Sequence, residues 1–203
     1  MKIYRQDETK ELAKILKNDG VICVPTDTVY GVCARINSVN AHDNLVKIKN
    51  RPTEKLFPIM CADKEQIESI AILNRRAKCL IDTFMPGPIT LILKKKPDVP
   101  DYVNNGKDTI AIRMATSKYI KELIKKTEAP LFMSSANQSG KPICTSLNEI
   151  EETFPTLDGI MDGNVILGEA STIVDCTCDT IKILRDGPIK MEQIIEALKN
   201  SGI

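Results

Sequence analysis

Two short polar motifs, far apart in the chain, carry most of the chemistry it can offer: Lys49-Asn50-Arg51 and Ser135-Ala136-Asn137. A guanidinium forks onto two phosphate or carboxylate oxygens, and an ammonium adds a compact point charge. A hydroxyl and an amide can then orient whatever the cations hold. Lys49, Arg51, Ser135 and Asn137 therefore suit a reaction at a phosphate, with Lys55 extending the basic patch. Each motif alone has a purely structural explanation. Cations at a helix end are favoured by the macrodipole, and a Ser/Asn/Gly segment is an ordinary surface loop. Three further features sharpen the picture. Pro25-Thr26-Asp27-Thr28-Val29-Tyr30-Gly31 presents hydroxyls and a carboxylate at a strand end, where open α/β sheets bind ligands. Arg113 interrupts the apolar run Ile110–Met114, and Arg185 ends Ile181–Leu184. A cation in such a setting needs a ligand carboxylate or an ion pair, with Asp27 or Asp175 as structural candidates.

Other chemistries are excluded or poorly supported. The chain has no G-x-x-x-x-G-K-[ST] loop and no G-x-G-x-x-G after a strand. It contains one histidine, His42, and seven cysteines without a C-x-x-C pair, so no metal site is identified from the protein. Cys176 and Cys178 would face one side of a strand, but reduced thiols packed near the core are the favoured reading of all seven. With 28 basic and 27 acidic residues the net charge is near zero. That argues against a dedicated nucleic-acid or membrane-surface binder. The charged N-terminus lacks a signal-type apolar stretch, and no run approaches a membrane span. The expected location is cytoplasmic.

The elements that must position these residues alternate between helical and extended patterns. The spacing predicts helices over 6–18, 39–49 and 191–199, two helical pieces within 64–84 divided at a cap, Asn74, and a helix near 146–153. Ser117 is read as the cap of a helix running through Ile124. Strands are predicted at 21–24, 57–61, 89–93, 109–114, 131–133, 159–162, 171–175 and 181–184. Met85-Pro86-Gly87-Pro88 is a hard break. Residues 94–107 read as an exposed polar loop and a candidate cover for the site. Several strands follow one another with no helix between them. The expected fold class is therefore α/β with a twisted mixed sheet and flanking helices, in one domain over 1–203.

The order PTDTVYG, K-x-R-P, MPGPITLIL, AIRM, SSANQSGKP, STIVD and ILRDG resembles the YrdC-like family, the threonylcarbamoyl-AMP synthases of the TsaC type. The match runs from about 20 to 187. It implies a YrdC-like fold with a large concave groove and an enzyme that joins L-threonine, bicarbonate and ATP into threonylcarbamoyl-adenylate and diphosphate. By the resemblance, Thr28 and Arg113 bind threonine, and Met60 stands where some relatives carry histidine. Lys49, Arg51, Ser135 and Asn137 surround ATP and the reacting centre. Ser171 and Arg185 match nucleotide-contacting positions, as do Lys55 and Thr109, while Ile143 stands where several relatives have a small or hydroxyl residue. The short, single-domain form is the better match. The resemblance further implies Mg²⁺ bridging phosphate oxygens, and partner proteins that move the threonylcarbamoyl group to tRNA. The competing expectation is a tRNA- or double-stranded-RNA-binding or ribosome-associated factor without adenylation activity; the intact K-x-R and S-x-N motifs favour the enzyme.

Overall fold

In the computed structural model, which describes residues 1–52, 54–178 and 180–203, one mixed sheet organises the chain. Its strands are β1 (Ile3–Tyr4), β2 (Ile22–Pro25), β3 (Tyr30–Arg35), β4 (Ile59–Cys61), β5 (Ala71–Ile72), β6 (Ile89–Lys95), β7 (Thr109–Met114), β8 (Leu131–Ser135), β9 (Gly159–Met161), β10 (Thr172–Asp175) and β11 (Lys182–Arg185). The helices are α1 (Thr9–Lys17), α2 (Val39–Lys49), α3 (Lys64–Ile70), α4 (Arg75–Phe84), α5 (Lys118–Thr127), α6 (Leu147–Thr153) and α7 (Met191–Asn200). Strand order is β1-β9-β2-β3-β8-β4-β7-β6-β10-β11, with β5 paired to β6. The β4–β7 and β6–β10 pairs are parallel, and β2–β3, β3–β8, β4–β8 and β6–β7 are antiparallel. The Asn74 cap is present, its carboxamide oxygen accepting from Ala77 N at 2.8 Å. Strand β3 was not expected, because Tyr30-Gly31 reads as the end of a turn; it pairs on both sides, with β2 and β8.

The strands send alternate residues to two separate apolar clusters, as the pleat requires. Val32, Ala34, Ile59, Cys61, Ile112 and Phe132 join one face with apolar residues of α2, α3, α4, α6 and α7. Ile22, Val24, Cys33, Met60, Leu131 and Met133 join the other with α1 and α5 alone. Five helices thus cover one face and two cover part of the other. The uncovered stretch of the second face, over β3, β8, β4, β7 and β6, is the concave groove. Arg113, Thr90, Gly31 and Ser135 fall on that face by the same alternation.

The segment 94–107 corrects the sequence reading. Strand β6 runs on to Lys95, and a short 3₁₀ turn occupies Asp101–Val103. Val99 and Val103 are buried in the first-face cluster, and the Tyr102 hydroxyl donates to Ile36 O at 2.8 Å. The reason is the apolar pair Val99 and Val103, hidden in a polar composition. The segment also joins the end of β6 to the start of β7, whereas Arg113 lies near the far end of β7. It cannot cover the groove.

Lys49 is among the largest fully buried side chains, at 1% exposure. It leaves the last turn of α2 and runs under β8, where its ammonium donates to the backbone carbonyls of Ser135 and Asn137. The chain turns away after Lys49 because Asn50 takes a left-handed conformation, closing the helix. One buried cation thereby pins the whole S-x-N segment to α2. Burial, with the neighbouring Arg51 charge, lowers Lys49 from 10.5 to about 8. Lys49→Met should cost about 2 kcal/mol at pH 7, since two carbonyls lose their donor, as denaturant melts would show. The unfolded chain holds this proton up to pH 10.5 and the folded chain only to about 8. Wild type should therefore gain stability over the Met variant as pH rises through that window, by up to about 3 kcal/mol. A flat difference between the two proteins from pH 8 to 10 would refute the buried charge.

Candidate active site

A cavity of about 140 Å³ opens on the uncovered face. An engineered cavity of about 150 Å³ holds benzene, so this one has room for a small amino acid. A nucleotide would have to extend out along the open face. Of the residues singled out from sequence, Thr28, Met60 and Arg113 line one part of the wall. Arg51, Ser135, Ser171 and Arg185 line the rest. Five segments, remote in sequence, thus meet at one hollow.

The first part is built on the turn between β2 and β3. The Thr26 hydroxyl donates to Val29 O at 2.6 Å and accepts from the backbone N–H groups of Thr28 and Val29, each at 3.2 Å. Its proton being committed, the 2.9 Å contact between the two threonine hydroxyls makes Thr28 the donor. Thr28 in turn accepts from Arg113 Nη1 at 2.7 Å. Arg113 Nη2 donates to Asp27 at 2.5 Å, and Nε donates to Gly87 O at 3.2 Å. Of five guanidinium N–H groups, two remain for a ligand. Burial pulls the Arg113 pKa down and Asp27 pushes it back up. The side chains of this pair are only 8% and 12% exposed. Gly87 is needed where it is, because a Cβ there would meet Phe84 O at 2.3 Å. That close approach in the Met-Pro-Gly-Pro turn delivers the carbonyl to Arg113.

The second part holds two cations of a different kind. Arg51 donates to Lys55 O at 2.8 Å, to Leu56 O at 2.7 Å and, more weakly, to Ser134 Oγ at 3.4 Å. Its guanidinium lies 4.6 Å from the Phe57 ring centroid. Arg185 wraps Ser171, donating to its carbonyl at 2.7 and 3.0 Å and to its hydroxyl at 3.1 Å. Ser171 also bonds Thr90 Oγ1 at 2.8 Å. Among the described residues neither arginine has a carboxylate partner, and burial alone lowers both pKa values. Gly187 lets this corner close, since a Cβ would sit 2.5 Å from Thr172 N and 2.7 Å from Ala170 O. The ion pair of Arg185 with Asp175 weighed from sequence does not form; Asp175 instead accepts from Thr177.

Four sequence-derived candidates lie off the cavity wall. Lys49 is under the floor, bonded to carbonyls. Asn137 accepts the Ser135 hydroxyl at 2.6 Å and donates to Gln138 O and Lys141 O, so it ties the loop together. Lys55 is exposed and reaches Ser139 Oγ at 3.4 Å. Thr109 shares the open face and strand of Arg113 but starts that strand, roughly 13 Å further along. Sequence reasoning missed Thr90, Gly31 and Met133, which also line the cavity. Alternation could have found Met133, two residues from Ser135 on one strand. Thr90, a lone hydroxyl in Ile89–Leu93, was the other available signal. Among the described residues no cluster of three or more His, Cys, Asp or Glu side chains could hold a metal ion. No helix among the described residues is long and apolar enough to cross a membrane.

Comparison with known proteins places this geometry. The Sua5/YciO/YrdC family model, described as "Telomere recombination", matches residues 14–187. A Methanocaldococcus jannaschii protein, provisionally named a threonylcarbamoyl-AMP synthase, is 37% identical over 202 residues, 96% of this chain and 95% of its own. A Pyrococcus abyssi threonylcarbamoyl-AMP synthase is 35% identical over 185 residues, covering 90% of this chain but 54% of that protein. The crystal structure of P. abyssi Sua5 complexed with L-threonine matches with a TM-score of 0.91 at 32% identity, over 97% of this chain and 60% of that one. The chain thus spans little more than half the length of its Pyrococcus relatives. On a family match over most of its residues and a shared fold, this chain belongs to the Sua5/YciO/YrdC family.

Proposed function

We propose that this chain is a threonylcarbamoyl-AMP synthase that joins L-threonine, bicarbonate and ATP. One observation carries the reading. A single cavity is lined by a carboxylate-paired guanidinium, Arg113, and by two guanidiniums, Arg51 and Arg185, that have no carboxylate partner among the described residues. That is a site for two different anions in contact, an amino-acid carboxylate and a polyphosphate.

Threonine's carboxylate takes the two remaining N–H groups of Arg113. The Thr28 oxygen, whose proton points to Thr26, offers a lone pair to the substrate amine. Met60 walls this end. The amine and bicarbonate give N-carboxy-threonine and water. The carbamate oxygen then attacks the α-phosphorus of ATP, a P–O bond forms, and the bond to the β-phosphate oxygen breaks, releasing diphosphate. The attacking oxygen is already anionic, so no strong general base is required, and the wall carries none. The need is to offset repulsion between carbamate and triphosphate. Arg51 and Arg185 supply that charge in place before reaction, with Ser135 and Ser171 beside them. Lys49 and Asn137 act one layer back, fixing the loop that carries Ser135. Lys55 and Thr109 border the path along which the nucleotide extends.

The donor set does not fit a resident metal, because the one carboxylate near the wall, Asp27, is committed to Arg113. Mg²⁺ would arrive with the phosphate oxygens of ATP. The product is a reactive mixed anhydride, and its consumers are proteins that pass the threonylcarbamoyl group to tRNA. An RNA-binding role without adenylation is not favoured, given a net charge of +1 and a cavity of small-molecule size.

Isotope exchange between diphosphate and ATP should require both threonine and bicarbonate. Arg51→Ala should lower it by about 10²–10³-fold, the usual cost of one transition-state charge donor; exchange without threonine would sink the reading. Steady-state kinetics should separate the two parts of the site. Arg113→Lys loses the fork and should raise KM for threonine at least about tenfold, with KM for ATP little changed. Arg185→Met should do the reverse, and a shared effect on both substrates would contradict two subsites.

A further inference from the structure

Three guanidiniums face one small cavity, and among the described residues only Arg113 has a carboxylate partner. Arg113 meets Asp27 at 2.5 Å, while Arg51 and Arg185 donate only to carbonyls and serine hydroxyls. Asp27 itself is not among the residues of the cavity wall; its carboxylate accepts from Arg113 Nη2 at 2.5 Å. Among the residues that line the cavity, its partner is Arg113, through which it acts on whatever that guanidinium holds. From these placements we infer that Asp27 is a specificity-determining residue: it sorts the two anionic substrates, keeping the polyphosphate off Arg113 so that this end stays open to an amino-acid carboxylate.

The physical basis is charge scaling. An anion gains more at a bare guanidinium than at one already sharing its charge with a carboxylate, and the difference grows with the anion's own charge. A diphosphate or triphosphate thus loses far more than a single carboxylate by occupying Arg113. Without Asp27 all three cations would be equivalent, and the most highly charged ligand would compete for all of them in a cavity of about 140 Å³. Specificity of this kind needs a repulsive element as well as attractive ones. Asp27 is in place to supply it. Its backbone adds rigidity, because Asp27 O accepts from Leu167 N at 2.9 Å in the segment leading to Ser171. The neutral pair also explains how a cation only 7% exposed is tolerated.

The inference rests on the two-substrate reading above, and calorimetry can test the two apart. Threonine is titrated into wild type and Asp27→Asn, each with and without millimolar sodium pyrophosphate and no added metal. Wild type should bind threonine with an affinity that pyrophosphate changes less than about twofold. Asp27→Asn keeps the size and one acceptor for Arg113 but loses the charge; there pyrophosphate should weaken threonine binding at least tenfold, competitively. Competition in wild type overturns the sorting without reference to any variant. If Asp27→Asn melts with wild type and shows no competition, the sorting is likewise overturned. Should that variant fail to fold, Asp27→Ser and the wild-type arm decide. No threonine binding by wild type would instead overturn the functional reading, and the inference with it.

Discussion

Taking water away from a cation is costly, and this fold does it four times around one hollow. Lys49, Arg51, Arg113 and Arg185 all have pKa values lowered chiefly by burial. Each cation persists because something replaces its water, and the replacement differs in kind. Lys49 has two backbone carbonyls, Arg51 two carbonyls and an aromatic face, Arg185 a serine carbonyl and hydroxyl, and Arg113 a carboxylate. Much local structure exists to deliver these partners. The left-handed Asn50, the close turn at Gly87 and the packed corner at Gly187 each bring backbone to a buried charge.

The hollow exists because the sheet is unevenly covered. A sheet of this width can bury both faces only if enough helices lie on each. Here α1 and α5 serve the second face together, sharing one cluster with residues of β1, β2, β3, β4, β8 and β9, while β7, β6 and β10 contribute none to it. Strand alternation then sends Arg113 and Thr90 into the gap and their neighbours Ile112, Leu91 and Ile89 into the opposite core. The same strands stabilise the protein with one face and line the cavity with the other.

Much of this was legible in the sequence. Strong punctuation marked the fold: Asp19-Gly20, Asn74, Met85-Pro86-Gly87-Pro88 and Asp186-Gly187-Pro188 all fall between elements. A cation inside an apolar strand exposed Arg113, and Asp27 was among its expected partners. Misreadings occurred where a local signal is weaker than a tertiary one. Tyr30-Gly31 looks like a turn, yet pairing on both sides makes it strand β3. Val99 and Val103 are buried by the core beneath them, which the polar residues around them hide. The direction of a long side chain was out of reach altogether. Lys49 and Arg51 are two residues apart at a helix end, and only the position of β8 decides that one goes under the floor and the other onto the wall.

That difference shows what a cation's partner decides. A carbonyl solvates a charge without cancelling it, so Arg51 and Arg185 keep nearly a full positive charge aimed at the cavity. A carboxylate cancels it, so Arg113 becomes a shaped donor of N–H groups with little net field. Lys49 is carbonyl-bound too, but it lies behind backbone and contributes position in place of direct contact. Charge at a site is therefore not read by counting basic residues. It depends on which partners replaced the water, and in this chain they leave one arginine paired with a carboxylate and two whose charge is solvated but not cancelled.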